Sequence, residues 1–377
     1  MYLDKKYLDF RNKIREFAEK EIEPKAKEID EKAEFPFENI RKVASLGLLG
    51  MVAPPEYGGT GIDTLRYAIA VEELSRVCGS TGITVAAHNS LAICPIYLFG
   101  NAEQKKKYIP PLAKGEKLGS FGLTEPDAGS DAGGTKTTAV LDGDSYIING
   151  SKCFITNASV AETFVITAVT DKTKGTKGIS SFILEKGMKG FSVGKKETKM
   201  GLRGSDTATL HFEDLKIPKE NILGKEGEGF KQFLITLDGG RISIGAMALG
   251  IAQGAFDKAL RYARERVQFE KPLIEFQAIQ FKLADMATQI EAARHLIYHS
   301  AFLEDRGEKY VKESAMAKLF ASEVGRFVTY QAIQIFGGYG YSRDYPVERY
   351  LRDVKLCEIG EGTSEIQRLV IFRELMK

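Results

Sequence analysis

Tryptophan is absent from this chain, cysteine and histidine number four each, and neither charge dominates. Each scarcity excludes something. Cys78, Cys94, Cys153 and Cys357 form no C-x-x-C pair, which removes a zinc knuckle and a thioredoxin-like motif. A chain of 377 residues can bury enough surface to dispense with disulfide staples, so a reducing compartment is expected. Lys plus Arg come to 53 and Asp plus Glu to 51, a net charge of +2, and the best basic run is only Lys105-Lys106-Lys107. That balance leaves no electrostatic footprint for a nucleic acid. No uninterrupted apolar stretch reaches the roughly 18 residues of a membrane span, so none is expected. The N-terminal MYLDKKYLDFRNKIREF mixes acids with bases, unlike a signal or transit peptide. A cytoplasmic location is the expectation, or the mitochondrial matrix for a processed eukaryotic chain.

Familiar catalytic signatures are missing too. No G-x-G-x-x-G follows a strand, which argues against a nicotinamide-type Rossmann domain. Gly129 to Lys136 resembles a P-loop but carries Thr135 where lysine is required. His295 and His299 have the spacing of helical metal ligands, yet no H-E-x-x-H glutamate and no third ligand accompany them, so no metal is expected. There is no G-x-S-x-G elbow.

What is present is an ordinary globular composition, 43% hydrophobic and 28% charged, and a length that predicts two or three domains. Residues 1–115 read as helical: Leu8, Ile14, Phe17, Ala18 and Ile22 recur in phase until Pro24, and the apolar run from Ile83 to Phe99 predicts a buried core helix. Residues 116–225 read as a small β domain. TKTTAVLDGDSYIING predicts a hairpin turning at Asp142-Gly143, and β-type runs follow at Phe164–Val169, Ile179–Leu184 and Ala208–Phe212. Over 226–377 the helical period returns in Phe230–Gln268, Leu273–Leu303 and Val311–Phe336, long enough for a bundle. Helices, then strands, then helices predict segregated domains of an α+β chain.

Three segments stand out. Phe121-Gly-Leu-Thr-Glu-Pro-Asp-Ala-Gly-Ser-Asp131 combines hydroxyls, acids and small residues that let backbone approach a polar ligand; the same residues also make a good turn. Phe336-Gly-Gly-Tyr-Gly-Tyr341 follows a long helix, and its glycines permit either close ligand approach or a stiff corner. In Glu358-Ile-Gly-Glu-Gly-Thr-Ser-Glu-Ile-Gln-Arg368, Ser364 and Gln367 predict a capping box that opens a helix. Glu361, just before it, is either an ordinary acid near a helix N-terminus or a general base on a loop tip, with Gly360 and Gly362 leaving room for substrate.

Together with Arg264-Glu-Arg-Val-Gln-Phe269, these segments resemble the acyl-CoA dehydrogenase family over nearly the whole chain. LDGGRISIGAMALGIAQGAFDKAL and IQFKLADMA resemble its short-chain, butyryl-CoA branch most. The resemblance implies an N-terminal helical domain, a middle small β-barrel domain and a C-terminal four-helix bundle. It further implies FAD bound without a Rossmann fold, a homotetramer built as a dimer of dimers, and electron-transfer flavoprotein as acceptor. The implied reaction is α,β-dehydrogenation of an acyl-CoA: a carboxylate removes the α-proton while the β-hydrogen leaves as hydride to the flavin.

Glu361 matches that base. Burial beside an acyl chain should raise its pKa from the usual ~4.3, and the helix N-terminus should oppose this by under about one unit. Its backbone N–H matches an oxyanion-hole donor to the thioester. Phe121, Leu123, Thr124, Phe154 and Thr156 match positions around the flavin ring. Arg266, Phe269 and Gln277 match contacts to FAD on a neighbouring subunit, where Gln334 through Gly337 and Gly338 match a backbone cradle. Thr363 and Glu365 match adenosine-side contacts. Ser130, Asp238 and Arg241 match residues near the CoA, with Ser130 also counted toward the cofactor.

Some family members carry the base on the residue before the arginine matched by Arg241; here that residue is Gly240, which supplies no carboxylate. Three departures stand out. Gly360 replaces a common aromatic residue of the acyl pocket, Phe154 stands where Trp is common, and Glu270 replaces a common Gly. The first keeps branched, cyclic or aromatic acyl-CoA substrates open. A flavin oxidase or monooxygenase, or an inactive acyl-CoA-binding protein, are the rival readings.

Overall fold

The structure, a computed structural model, describes residues 3–377. Seven helices come first: α1 (Lys5–Phe17), α2 (Ala26–Lys32), α3 (Phe37–Ser45), α4 (Thr64–Val77), α5 (Gly79–Ala87), α6 (Cys94–Phe99) and α7 (Ala102–Ala113). Pro24 lies in a single 3₁₀ turn, Glu23–Lys25, that separates α1 and its π-helical extension from α2. Proline offers no N–H to continue an α ladder, which is why the phase breaks there. The apolar run expected as one helix is α5 and α6 joined through a π-helical stretch, His88–Ile93. By length and composition Gly79–Phe99 and the later Gly229–Glu265 could each cross a membrane, yet 72% of each apolar window is buried inside the fold. Both are core helices here.

Strands β1 (Gly119–Gly122), β2 (Thr138–Asp142), β3 (Ser145–Thr156), β4 (Thr163–Val169), β5 (Ile179–Glu185), β6 (Phe191–Lys196), β7 (Thr207–Pro218) and β8 (Ile222–Leu223) form one sheet. Its order is β6-β7-β3-β2-β4-β5-β8, with β1 parallel to β4. The β2–β3 loop is Gly143-Asp144, one residue later than expected, because Asp142 still pairs with Ser145. Gly143 has φ +60°, which the tight turn demands. Ile148, Phe164, Phe182, Phe212 and Leu215 form the sheet's own core.

The chain then enters α8 (Gly229–Glu265) and a short hairpin, β9 (Val267–Gln268) and β10 (Lys271–Pro272). Helices α9 (Gln277–Asp305), α10 (Val311–Phe336), α11 (Gly338–Tyr341), α12 (Val347–Val354) and α13 (Ser364–Leu375) complete it. The long helices α8, α9 and α10 pack together, α4 lies along α8, and α13 lies on α10. One apolar core runs from Ile14 to Cys357, so helices far apart in sequence share it. Gly250 and Gly254 make the α4–α8 contact possible. A Cβ there would lie 2.1 and 2.0 Å from the carbonyl oxygens of Glu72 and Arg76.

Candidate active site

Glu361 lies in the turn that leads into α13 and has φ 53°, a conformation that non-glycine residues hold only when fixed from outside. Two side chains fix it. Gln367 donates from Nε2 to the carbonyls of Glu361 and Gly362 at 3.1 and 2.9 Å. Lys318, midway along α10, donates from Nζ to the Gly362 carbonyl at 2.6 Å. The expected capping box is not formed. Thr363 is the N-cap, its Oγ1 accepting from the Ile366 N–H at 3.3 Å, while Gln367 is engaged by the turn's carbonyls instead. Glu365 is exposed on the first turn of α13.

The carboxylate of Glu361 points at α8. A Cβ on Gly240 would lie 2.1 Å from Oε2, so a glycine at 240 is what admits the acid. Oε2 is sealed from solvent and has no hydrogen-bond partner among the described residues. Burial pushes the Glu361 pKa up to about 7, against the lowering charges of Lys318 and Arg241. The lift is present before any substrate arrives. Arg241 is itself engaged by Asp238, Nη1 to Oδ1 at 2.5 Å, and burial holds the Asp238 carboxyl above its usual range. Gly360 is different from Gly240. A Cβ there would make only ordinary contact with Leu356, at 3.5 Å or more.

In the sheet, the Cys153 N–H donates to the Thr124 carbonyl at 2.8 Å, and Ser120 Oγ donates to the Thr156 carbonyl at 2.6 Å. Phe121, Leu123 and Thr124 therefore run beside Phe154 and Thr156. The Phe154 ring is 66% exposed on a φ of 57°, held out of the core. Glu125 of the TEPD turn is structural: it accepts from Lys152 Nζ at 2.7 Å, from the Lys136 and Thr137 N–H groups at 2.6 and 3.1 Å, and from the Thr135 hydroxyl. Lys152 also donates to the Leu123 carbonyl at 3.1 Å, tying the two segments together. Ser130 is exposed farther along that loop. Sequence reasoning missed Lys152 and Lys318. A lone lysine within a strand or helix gives no signal of burial.

A second cluster lies elsewhere. The Arg266 guanidinium sits 5.6 Å from the Tyr339 ring centre, and Phe269 lies 6.1 Å from Phe276, the residue before Gln277. Gln334 is exposed near the end of α10, and beyond the adjoining residues no atom of the described chain lies within 4 Å of a Cβ on Gly337 or Gly338. Phe269 is 88% exposed. Along α8, at ~1.5 Å per residue, Gly240 and Arg266 are about 39 Å apart, so this cluster and Glu361 do not meet within one chain.

Three successive stretches, residues 4–116, 120–215 and 227–376, match the N-terminal, middle and C-terminal domains of acyl-CoA dehydrogenases. The short-chain-specific acyl-CoA dehydrogenase of Clostridium acetobutylicum is 56% identical over 97% of both chains. The chain belongs to the acyl-CoA dehydrogenase family. Among solved structures, butyryl-CoA dehydrogenase from Megasphaera elsdenii superposes with a TM-score of 0.98 at 48% identity over 100% of both chains. A chain from work on the electron-transferring flavoprotein of Acidaminococcus fermentans does so at 0.98 and 53% identity, over 100% of this chain and 99% of the other.

Acyl-CoA dehydrogenases are flavoproteins, and this chain offers what a flavin requires. An apolar ring, Phe154, stands exposed beside Thr156, and an open glycine backbone lies at the far end of the bundle. Glu270, where the family commonly has glycine, has φ 66° after Phe269 at 51°, and the two form the β9–β10 loop. Such loops want φ above zero at both positions. Glu270→Gly in this acyl-CoA dehydrogenase is thus expected to stabilise it by roughly 1 kcal/mol, read as a higher denaturant midpoint. No gain, or a loss, would mean that the Glu270 side chain makes up for the strain.

The raised pKa of Glu361 has a thermodynamic consequence. Its folded value of about 7 lies above the 4.5 of a solvated glutamate, so the unfolded chain loses this proton first. Stability associated with the group is intact below about pH 4.5 and falls as pH rises to about 7, by about 3 kcal/mol in all. Glu361→Gln should therefore be more stable than the parent enzyme at pH 8 and equal to it near pH 4. Equal stabilities at both pH values would contradict the raised pKa.

Proposed function

We propose that this chain carries out FAD-dependent α,β-dehydrogenation of a short-chain acyl-CoA to the trans-2-enoyl-CoA, with Glu361 removing the α-proton. One observation carries the reading: a carboxylate oxygen sealed from water, without a hydrogen-bond partner among the described residues, on a group poised near neutral pH in front of a glycine. A general base works best when its pKa lies near the working pH. Its oxygen must also be free to take the proton, and Oε2 is free.

FAD would be held at its ring by Phe121, Leu123, Thr124, Phe154 and Thr156, with Thr363 and Glu365 on its adenosine side, and it supplies a hydride acceptor when bound. The chain's own groups do the rest. The Glu361 N–H is the donor for the thioester oxygen as negative charge grows there. Arg241, Asp238 and Ser130 serve the CoA portion, and Gly360 and Gly362 leave the acyl chain room. The distance of about 39 Å along α8 supports a second copy as the owner of the FAD that Arg266, Phe269, Gln277, Gln334, Gly337 and Gly338 touch. That arrangement suits a dimer within a homotetramer. The likeness to the chain from the electron-transferring flavoprotein work supports such a flavoprotein as acceptor. Anaerobic addition of butyryl-CoA to the flavin-loaded protein tests the function: bleaching of the flavin with one enoyl-CoA formed per flavin is expected. Persistent yellow colour would overturn it.

Gly360 governs which acyl group fits. Its neighbours leave space and its φ is not in the left-handed region, so Gly360→Tyr should fold normally. The ring should lower kcat/KM for a branched acyl-CoA relative to butyryl-CoA by about tenfold or more, the scale of steric selection in apolar pockets. An unchanged ratio would remove Gly360 from the acyl pocket.

A further inference from the structure

Lys318 is wholly buried on α10, and its hydrogen bond runs to the Gly362 carbonyl at 2.6 Å. No carboxylate lies within ion-pair distance of it among the described residues. Burying an ammonium costs several kcal/mol unless the surroundings use the charge. What lies nearby is the turn of Glu361.

We propose that Lys318 is a positioning residue for Glu361: it clamps the turn through Gly362 and supplies the positive charge that keeps the carboxylate ionised in a dry pocket. This rests on Glu361 being the base. The groups around Glu361 single out Lys318. From α8 comes Arg241, whose charge is shared with Asp238 at 2.5 Å. From α4 comes Tyr67, which donates to the Ala86 carbonyl and whose pKa is pushed up by burial. In the residues leading into the turn, the Cys357 thiol is pushed up to about 12 by burial, and Glu358 pairs with Arg326 and Lys355. Lys318 is the cation with no acid of its own among the described residues. Burial brings its pKa down to about 8, above that of Glu361, so both are charged together between roughly pH 7 and 8.

Two neutral variants separate clamp from charge. Lys318→Gln keeps an N–H donor for the Gly362 carbonyl, and Lys318→Met keeps none. Each is purified with flavin and followed for flavin content, substrate KM and the pH profile of flavin reduction by butyryl-CoA. The expected result is full flavin content, a KM within about threefold of the parent, and an acid limb moved upward by about one unit or more in both. Above that limb, Lys318→Gln should be at least about threefold faster than Lys318→Met. Lys318→Arg, which keeps the charge, should hold the limb where the parent has it, and it decides the matter should the neutral variants not fold. An unmoved limb in the neutral variants, or a raised one in Lys318→Arg, overturns the proposal. Glu361→Gln is measured alongside. If it reduces flavin normally, the base assignment fails; if it is inactive and the Lys318 limbs do not move, only the role of Lys318 fails.

Discussion

Glu361→Gln is expected to slow flavin reduction by butyryl-CoA by about 10⁴-fold, the upper range for loss of a positioned general base. The amide has nearly the same shape, so the turn held by Gln367 and Lys318 should persist and the acyl-CoA dissociation constant should stay within about threefold. The protein should also keep its flavin, because the residues proposed to hold the ring lie on β1, β3 and the segment after β1, away from the turn of Glu361 in the chain. Rapid-mixing absorbance at a flavin band, with a parallel binding titration, separates the two effects. A fall of less than about tenfold would mean that another group takes the proton. Asp238 is the nearest acid on α8 but is committed to Arg241.

Glu72→Ala should be the most damaging of the simple stability variants. Glu72 and Glu73 are both wholly buried on α4. Glu72 accepts from Arg294 Nε and Nη2 at 3.2 and 3.1 Å and from the Tyr298 hydroxyl, bonds that join α4 to α9. Glu73 accepts from Arg15 at 2.9 and 2.8 Å and from Arg76 at 3.0 Å. Removing Glu72 takes from the Arg294 guanidinium, whose side chain is 14% exposed, its buried acid, leaving it Glu291 at 2.6 Å and Gln253 at 2.8 Å, and takes from the buried Tyr298 hydroxyl its acceptor. Breaking a buried pair in this way costs about 3–5 kcal/mol, and the denaturant midpoint should fall accordingly. Glu72→Gln keeps acceptor and shape and should lose clearly less. A loss under about 1 kcal/mol for Glu72→Ala would show that water or a rearranged side chain replaces the glutamate.

Helix–strand–helix order was readable because apolar spacing changes from helical to alternating near Gly119 and back near Gly229. The turn carrying Glu361 was readable as well, since Gly360 and Gly362 flank an acid at the head of a helix. The cap itself slipped by a residue: Thr363 and Ser364 are both good caps, and only the tertiary demand on Gln367 chooses between them. Strand β6 escaped notice because FSVGKK is half polar at a sheet edge. Buried charges were the least readable. Lys318, Lys152, Glu72 and Glu73 look like solvated surface in a one-dimensional pattern. Their partners, such as Gly362 for Lys318 and Arg294 for Glu72, are far away in sequence. The glycine at 240 shows the same limit. Its lack of a carboxylate was plain, but the reason for it, a side chain pressing in from residue 361, exists only in the folded chain.

The role of Glu361 is tested most directly by hydrogen exchange at the α-carbon. With the flavin already reduced, no hydride can leave the substrate, but a base can still remove and return the α-proton. Flavin-reduced enzyme and butyryl-CoA are mixed anaerobically in D2O, and deuterium at C2 is followed by mass spectrometry. The parent protein is expected to incorporate deuterium and Glu361→Gln to incorporate none above the rate without enzyme. Equal incorporation by both would contradict the assignment of Glu361 as the base.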